Sequence, residues 1–401
     1  MNPVKLLWCS VLVLAACSGA PAEGVEESVE PLSKGHGHGN QHGRGHGQHE
    51  PKTRSVEYAT LDVPIPAGIA AGNEVFFVGS PLEGRVVVLS RKTRAPIAEL
   101  PQPPGNFVLP LILHSIGPSR VAVLDSGGLP APGVSDVEPT LYEYEYRLRH
   151  GVFQASLVRT VHFTGKRIGF AEEFAYLGSG RYLVTDAIYG SIWQITSRGD
   201  VRPGIVPKSF EPEDRIPELS NCPTMPQIEV GGLPFLFTGS TIPGAGGIDV
   251  RDGTVYVYSS CAAALYAFPL SALSDARAPY RRAASLRLVS KKPKNVPVEE
   301  LLELQFNPYD SSDPYLYGTD ALELRVIRID SRSGAREVLG DDPRLFNFPS
   351  SLAFIEPEKG ERAAMLVLSN QQHRTTITND AIGEELFEPP FVVAKLAVSK
   401  R

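Results

Sequence analysis

The apolar residues of this chain gather in short blocks rather than in helical stripes. Six blocks, each closing on a small polar or acidic residue, begin at positions 76, 121, 182, 255, 316 and 366: Phe76-Phe77-Val78-Gly79-Ser80, Val121-Ala122-Val123-Leu124-Asp125, Tyr182-Leu183-Val184-Thr185-Asp186, Val255-Tyr256-Val257-Tyr258-Ser259, Leu316-Tyr317-Gly318-Thr319-Asp320 and Leu366-Val367-Leu368-Ser369-Asn370. Blocks this short, rich in β-branched and aromatic residues, predict strands. In four units a second such block starts at the same offset. Arg85–Leu89 follows Ser80, Ser191–Ile195 follows Asp186, Ala264–Phe268 follows Ser259 and Arg325–Ile329 follows Asp320. These are hairpins. In the other two units the connection is longer, so that Thr140–Tyr146 follows Asp125 and Phe391–Leu396 follows Asn370. Surface loops tolerate such insertions.

Ahead of each hairpin lies a segment suited to an innermost strand, such as Ile168–Phe174 or Gly247–Val250, and behind most of them an outer strand such as Arg336–Leu339. Four antiparallel strands per unit, repeated six times, predict an all-β six-bladed β-propeller over residues 55–401. The segment Val56–Val63 precedes the first unit and is expected to supply the outermost strand of the last blade, covering its edge. Composition agrees. Gly (37) and Pro (35) are plentiful in a chain of 401 residues, which suits turns between short strands and disfavours long helices.

The first 54 residues read differently. Met1–Ala16 carries a single Lys5 and an apolar stretch too short to span a bilayer, the pattern of a secretory signal. It ends in Leu14-Ala15-Ala16-Cys17-Ser18, which resembles the lipobox of bacterial lipoproteins, implying lipidation of Cys17 and an outer-membrane-anchored protein of the bacterial cell envelope. Residues 17–54 are poor in apolar side chains and predict a disordered Gly/His-rich linker. Within it His36, His38, His42, His46 and His49 form either an accessory metal-binding tract or a hydrophilic spacer.

Charge and cysteines narrow the function further. A net charge of −6 supplies no basic field for nucleic acid. The basic run Lys291-Lys292-Pro293-Lys294 reads as a solvated loop. With Cys9 in the signal and Cys17 lipidated, Cys222 and Cys261 remain, either as one disulfide or as two buried thiols. No GxSxG, HExxH or GxxxxGK[ST] motif occurs. Polar residues on the innermost strands are the alternative source of chemistry, since a propeller brings them to one channel. The candidates are His114, the pair Glu172-Glu173, Asp249, Glu303 and Ser350-Ser351. Glu172, Glu173, Asp249 and Glu303 are candidate ligands for a divalent cation, Ca²⁺ or Zn²⁺, with Glu173 and His114 as candidate catalytic groups.

The stretch from Arg167-Ile168-Gly169-Phe170 through Tyr182–Asp186, Gly190–Ile195, Ile242-Pro243-Gly244-Ala245-Gly246-Gly247-Ile248 and Val255–Tyr258 resembles the gluconolactonase / senescence marker protein (regucalcin) superfamily, whose six-bladed members include lactonases and strictosidine synthase relatives. Val123–Gly127 and Leu366–Asn370 are more distantly similar to the royal jelly / yellow family. The first resemblance implies a metal site that this chain matches incompletely. Pro64–Ile69 holds no Glu where the family has one in its first blade. A family Asn-Gly pair falls on Glu172-Glu173, another on Gly246-Gly247, and the nearest counterpart of the acidic residue in the fifth blade is Glu303. Two functions are therefore expected: a monomeric propeller binding a small molecule or an envelope protein at its channel, attached to membrane only through its lipid, or a divalent-metal-dependent hydrolase of lactones or esters.

Overall fold

Six four-stranded antiparallel sheets account for nearly all the strands, and each follows the hairpin order expected from the sequence. In the computed structural model blade 1 is Ala67–Ala71, Val75–Ser80, Arg85–Ser90 and Pro96–Glu99, and blade 2 is Pro110–Gly117, Arg120–Asp125, Thr140–Arg149 and Val152–His162. Blade 3 is Ala171–Tyr176, Tyr182–Asp186, Ser191–Ile195 and Val201–Ile205, and blade 4 is Ala245–Arg251, Thr254–Ser259, Ala264–Pro269 and Arg287–Lys291. Blade 5 is Leu301–Phe306, Tyr315–Asp320, Arg325–Asp330 and Arg336–Gly340. Blade 6 takes three strands from the C-terminal region, Pro349–Ile355, Ala364–Ser369 and Phe391–Ala397, and its outermost from Glu57–Leu61, paired from Glu57↔Lys395 to Leu61↔Phe391. The ring is thus a six-bladed propeller closed by a strand from each end of the domain. The described residues are 57–61, 63–128, 137–209, 211–222, 227–237, 243–292, 299–357 and 363–398, all within the compact unit Arg54–Arg401; Cys17 and the five tract histidines lie outside them.

The core is divided among the blade interfaces. Alternate residues of one strand face opposite neighbours, as the period of two requires. Phe76 and Val78 pack with Leu366 and Phe391 of blade 6, while Val75 and Phe77 pack with Val121 and Tyr144 of blade 2. Equivalent clusters join blades 2 and 3, 3 and 4, 4 and 5, and 5 and 6. Both faces of each blade are therefore buried, which is why the second strands read as unbroken apolar runs.

The polar residue that ends each run also has a structural task. Asp186 accepts hydrogen bonds from the backbone N–H groups of Gly169, Phe170, Ile188 and Tyr189, and Asp125 from those of Val108, Leu109 and Gly127. Each carboxylate ties its hairpin turn to the segment entering the inner strand. Of the basic run expected to be a solvated loop, Lys291 is exposed at the end of a strand, Pro293 and Lys294 lie outside the described residues, and Lys292 departs from the expectation. Lys292 is buried and its ammonium pairs with Glu323 at 2.9 Å, because blade 4's outer strand ends against the turn of blade 5.

The long connection between blades 3 and 4 crosses to the far side of the ring. Its short hairpin, Ile228–Val230 with Leu233–Phe235, packs Val230 and Phe235 on Leu322, Leu324 and Phe348, in one cluster with the inner-strand residue Leu302. Asn379 of blade 6 fastens it, accepting from Leu236 N–H at 3.1 Å and donating to Pro234 O at 2.9 Å. The disulfide Cys222–Cys261 joins the same connection to blade 4, with Cα atoms 5.3 Å apart. This segment caps the channel at the end where the inner strands begin. Within the cap His373 is buried with neither ring nitrogen bonded, stacked 5.5 Å from Phe348; burial and then Arg374 push it down to about 4, so it packs as a neutral ring.

Candidate functional site

All six inner strands carry a register shift near their start, between Ala67 and Ile69, Pro110 and Ile112, Ala171 and Phe174, Ala245 and Ile248, Leu301 and Leu304, and Pro349 and Ser351. A bulge sets two residues against one and breaks the alternation of the strand. The strands come back into step beyond it. Ala70, His114, Ala175, Asp249, Gln305 and Ala353 each pair with the residue three before the end of the second strand, so they form one level of the channel. Three of the six are alanine, which leaves room for the other three.

One hydrogen-bonded chain crosses the channel at this level. Ile69 N–H donates to Ser351 Oγ at 3.0 Å, and the Ser351 hydroxyl donates to Glu303 Oε2, which also accepts from Leu352 N–H at 2.8 Å. Gln305 Nε2 donates to Glu303 Oε1 and lies 2.8 Å from His114 Nδ1 and 3.3 Å from Leu352 O. His114 Nε2 lies 2.7 Å from Glu173 Oε1, which accepts from Phe174 N–H at 2.7 Å as well. Three acceptors surround Gln305 Nε2, so its amide orientation is fixed and His114 Nδ1 must accept. The imidazole proton then sits on Nε2, facing Glu173. Five blades are linked in this way. Blade 4 joins through Asp249, whose carboxylate accepts from Val250 N–H and, at 2.7 Å, from Phe306 N–H of blade 5.

Burial dominates the electrostatics. It holds His114 below the ordinary imidazole value despite the opposing pull of Glu303 and Asp249, so the ring is neutral. It raises Glu303 to about 8, with Glu173 adding to the rise and His114 and two hydrogen bonds opposing it. Glu173 lies well above 4.5, first by burial and then by the charge of Asp249, although its bond from Phe174 N–H works the other way. Glu172 reaches about 8 through burial and its neighbour Glu173. Other buried carboxylates meet cations or hydroxyls: Glu143 meets Arg120 and Arg159, and Glu299 meets Arg336 and Tyr258. Glu173 has no such cation beside it, and its Oε2 is buried without a hydrogen-bond partner, as are Glu299 Oε1, Glu300 Oε2 and Asp320 Oδ1.

Of the sequence-predicted ligands, the fold brings Glu173 and Glu303 together with His114, their ligand atoms all within 4.8 Å of one another. Glu172 and Asp249 are not in that group. Asp249 is held by backbone N–H groups, and Glu172 sits on the cap side of the bulge, where its charge acts on Glu300. Ser351 is in the network, whereas Ser350 bonds Leu368 O. Sequence reasoning missed Gln305, whose even spacing from Glu303 was the available signal, and Glu300, which is buried with an unpartnered Oε2. One imidazole and two carboxylates, one with an unpartnered oxygen, are the donor types that Zn²⁺ takes, and ligation through His114 Nε2 would require its proton to leave and the Gln305 amide to turn so that Oε1 accepts from Nδ1–H. They do not supply the six to eight oxygens that Ca²⁺ takes.

Beyond His114 the channel opens at the end opposite the cap. A cavity of about 310 Å³ is bounded there by the ends of the inner strands of blades 1, 2, 5 and 6, with His114 and Gln305 at its floor and Asn73, Tyr309 and Glu356 at its rim. Fold and site together define a six-bladed propeller with a polar channel plug, capped at one mouth and hollow at the other. No protein-family model and no curated protein matches the chain. Solved structures similar to it include a luciferin-regenerating enzyme (11% identity, 86% of this chain and 96% of that one, TM-score 0.49). Virginiamycin B lyase of Staphylococcus aureus is similar at 10% identity, over 86% and 99% of the two chains, with a TM-score of 0.47. A gluconolactonase of Xanthomonas campestris is similar at 11% identity, over 86% and 90%, also at 0.47. At these values nothing chemical transfers, and the fold assignment rests on the sheet topology itself.

Proposed function

We propose that this protein is a lipid-tethered envelope propeller that binds a small molecule in the cavity at the open mouth of its channel. The observation that carries the reading is that cavity, about 310 Å³ with His114 and Gln305 at its floor, set opposite a capped mouth. Its size lies at the lower end of ligand pockets. Both nitrogens of His114 are engaged, by Glu173 and Gln305, which favours a fixed recognition surface over a free general base. The test fills the cavity. Gly117 lines it, and a Cβ there meets nothing within 4 Å, so a side chain can be introduced at this position and Gly117→Phe places bulk at the cavity. A thermal-shift screen with cationic, neutral and anionic small molecules should yield ligands of the wild type that Gly117→Phe no longer binds. If no ligand is sensitive to the filling, the reading fails.

The tether rests on Leu14–Ser18, and a disulfide between Cys222 and Cys261 suits an oxidising compartment outside the cytoplasm. Cys17→Ala should move the protein from membrane to soluble fractions. Unchanged fractionation would refute it.

A second reading, a metal-dependent hydrolase of lactones or esters, is favoured by the convergence of His114, Glu173 and Glu303. These three would hold the ion, which would supply Lewis-acid polarisation of a carbonyl when bound. The residues of the chain would contribute in other ways. Ser351 and Leu352 N–H would orient Glu303, and Gln305 would position the imidazole. A lactone and aryl-ester panel with added Zn²⁺ tests this reading, and it fails if turnover is absent or is unaffected by Glu173→Ala.

A further inference from the structure

We infer that the open-mouth cavity selects a small organic cation, an ammonium group carried on a compact apolar or aromatic body. The inference rests on the ligand-binding reading above and specifies its ligand. Consider which polar atoms a guest would meet. On the floor the amide nitrogen of Gln305 is fully engaged by Glu303, His114 and Leu352 O, and both nitrogens of His114 are engaged in turn. Gln305 Oε1 is left without a partner among the described residues, so the floor offers an acceptor and no free N–H. At the rim stands the carboxylate of Glu356, which is exposed.

No Lys or Arg side chain is among the described residues lining the cavity. Arg91, beside the rim, turns its guanidinium to the backbone carbonyls of Asn73 and Glu356, fastening blade 1 to blade 6. Behind the floor lie the carboxyl groups of Glu173, Glu303 and Asp249, with Glu173 Oε2 buried and unpartnered. Between floor and rim the walls mix the small apolar side chains of Ala70 and Ala353 with the hydroxyl of Ser115, and the ring of Tyr309, 42% exposed, stands at the rim beside Asn73. An acceptor at the floor and, at the rim, a carboxylate beside the ring of Tyr309 favour a donor-bearing cation. An anion would find no cationic partner on the walls and would meet the carboxylate of Glu356 at the rim, a juxtaposition that electrostatic complementarity disfavours.

Isothermal titration of the full chain with benzylammonium, benzyl alcohol and benzoate tests the inference, because the three probes share a body and differ in charge. Benzylammonium is expected to bind at least tenfold more tightly than benzyl alcohol, and benzoate not at all. Glu356→Gln, at an exposed position, should weaken benzylammonium about fivefold and leave benzyl alcohol unchanged, and Gly117→Phe should abolish binding. Benzoate or benzyl alcohol binding as tightly as benzylammonium would overturn the cation preference, as would benzylammonium binding unaffected by Gly117→Phe. Anionic ligands displaced by Gly117→Phe in the screen above would also overturn it while leaving the cavity reading intact. A screen with no ligand sensitive to that variant would remove both.

Discussion

Glu172 provides a direct measure of how strongly the channel disfavours charge. Its carboxyl is held at about 8, against an ordinary 4.5, first by burial and then by Glu173. The folded state therefore keeps a proton that the unfolded chain loses, and stability falls as pH rises between those values. At about 1.36 kcal/mol per pH unit the full loss is about 5 kcal/mol, a large fraction of an ordinary domain's stability. Glu172→Gln keeps the shape and removes the titration. Urea denaturation of wild type and variant from pH 4 to 9 reads the difference. Near pH 4 the two should be alike; the variant's advantage should then grow by roughly 1.4 kcal/mol per pH unit and level off above about pH 8. It should also bring Glu300 down, since the charge of Glu172 is part of what raises it. A difference that does not change with pH would refute the reasoning, because it would mean that water or a counter-charge already solvates the group.

Three further outcomes are expected. Cys222–Cys261 closes a sequence separation of 39, so Cys222→Ser with Cys261→Ser should cost about 4 kcal/mol on the chain-entropy estimate, read as a lower Tm that no longer responds to reductant. Gly68 has φ +70° in the bulge of blade 1, and a Cβ would lie 2.3 Å from Leu111 O in blade 2; Gly68→Ala should destabilise the fold by more than about 1–2 kcal/mol in chemical denaturation. On the metal-dependent reading, with the five tract histidines replaced by alanine Zn²⁺ should still bind near one equivalent by calorimetry, and His114→Ala or Glu303→Gln should abolish that binding, whereas Asp249→Asn should not; no binding would refute that reading.

Much of the ring was legible in the sequence because propeller strands are local. A hairpin needs only two β-prone blocks and a turn, and the common offset after Ser80, Asp186, Ser259 and Asp320 marks that geometry directly. Burial on both blade faces also writes itself into the chain as unbroken apolar runs. Even the closing strand was visible, since Val56–Val63 stood alone ahead of the first unit and an unpaired edge in blade 6 needed covering. Lys292 of the basic run misled, because nothing local tells that it meets Glu323 across a blade boundary.

The site was legible only as a set of candidates, and tertiary structure chose among them. Glu172 and Glu173 are adjacent in the chain, yet only Glu173 reaches His114, because the bulge between Ala171 and Phe174 resets which residue faces which neighbour. Gln305 gained its place from His114, 191 residues away, through the closure of the ring. The two mouths differ only because the connection between blades 3 and 4 covers one of them. The sequence determined the strands, since their spacing and burial obey local geometry; the ring decided the chemistry, since the groups that meet at its axis belong to different blades.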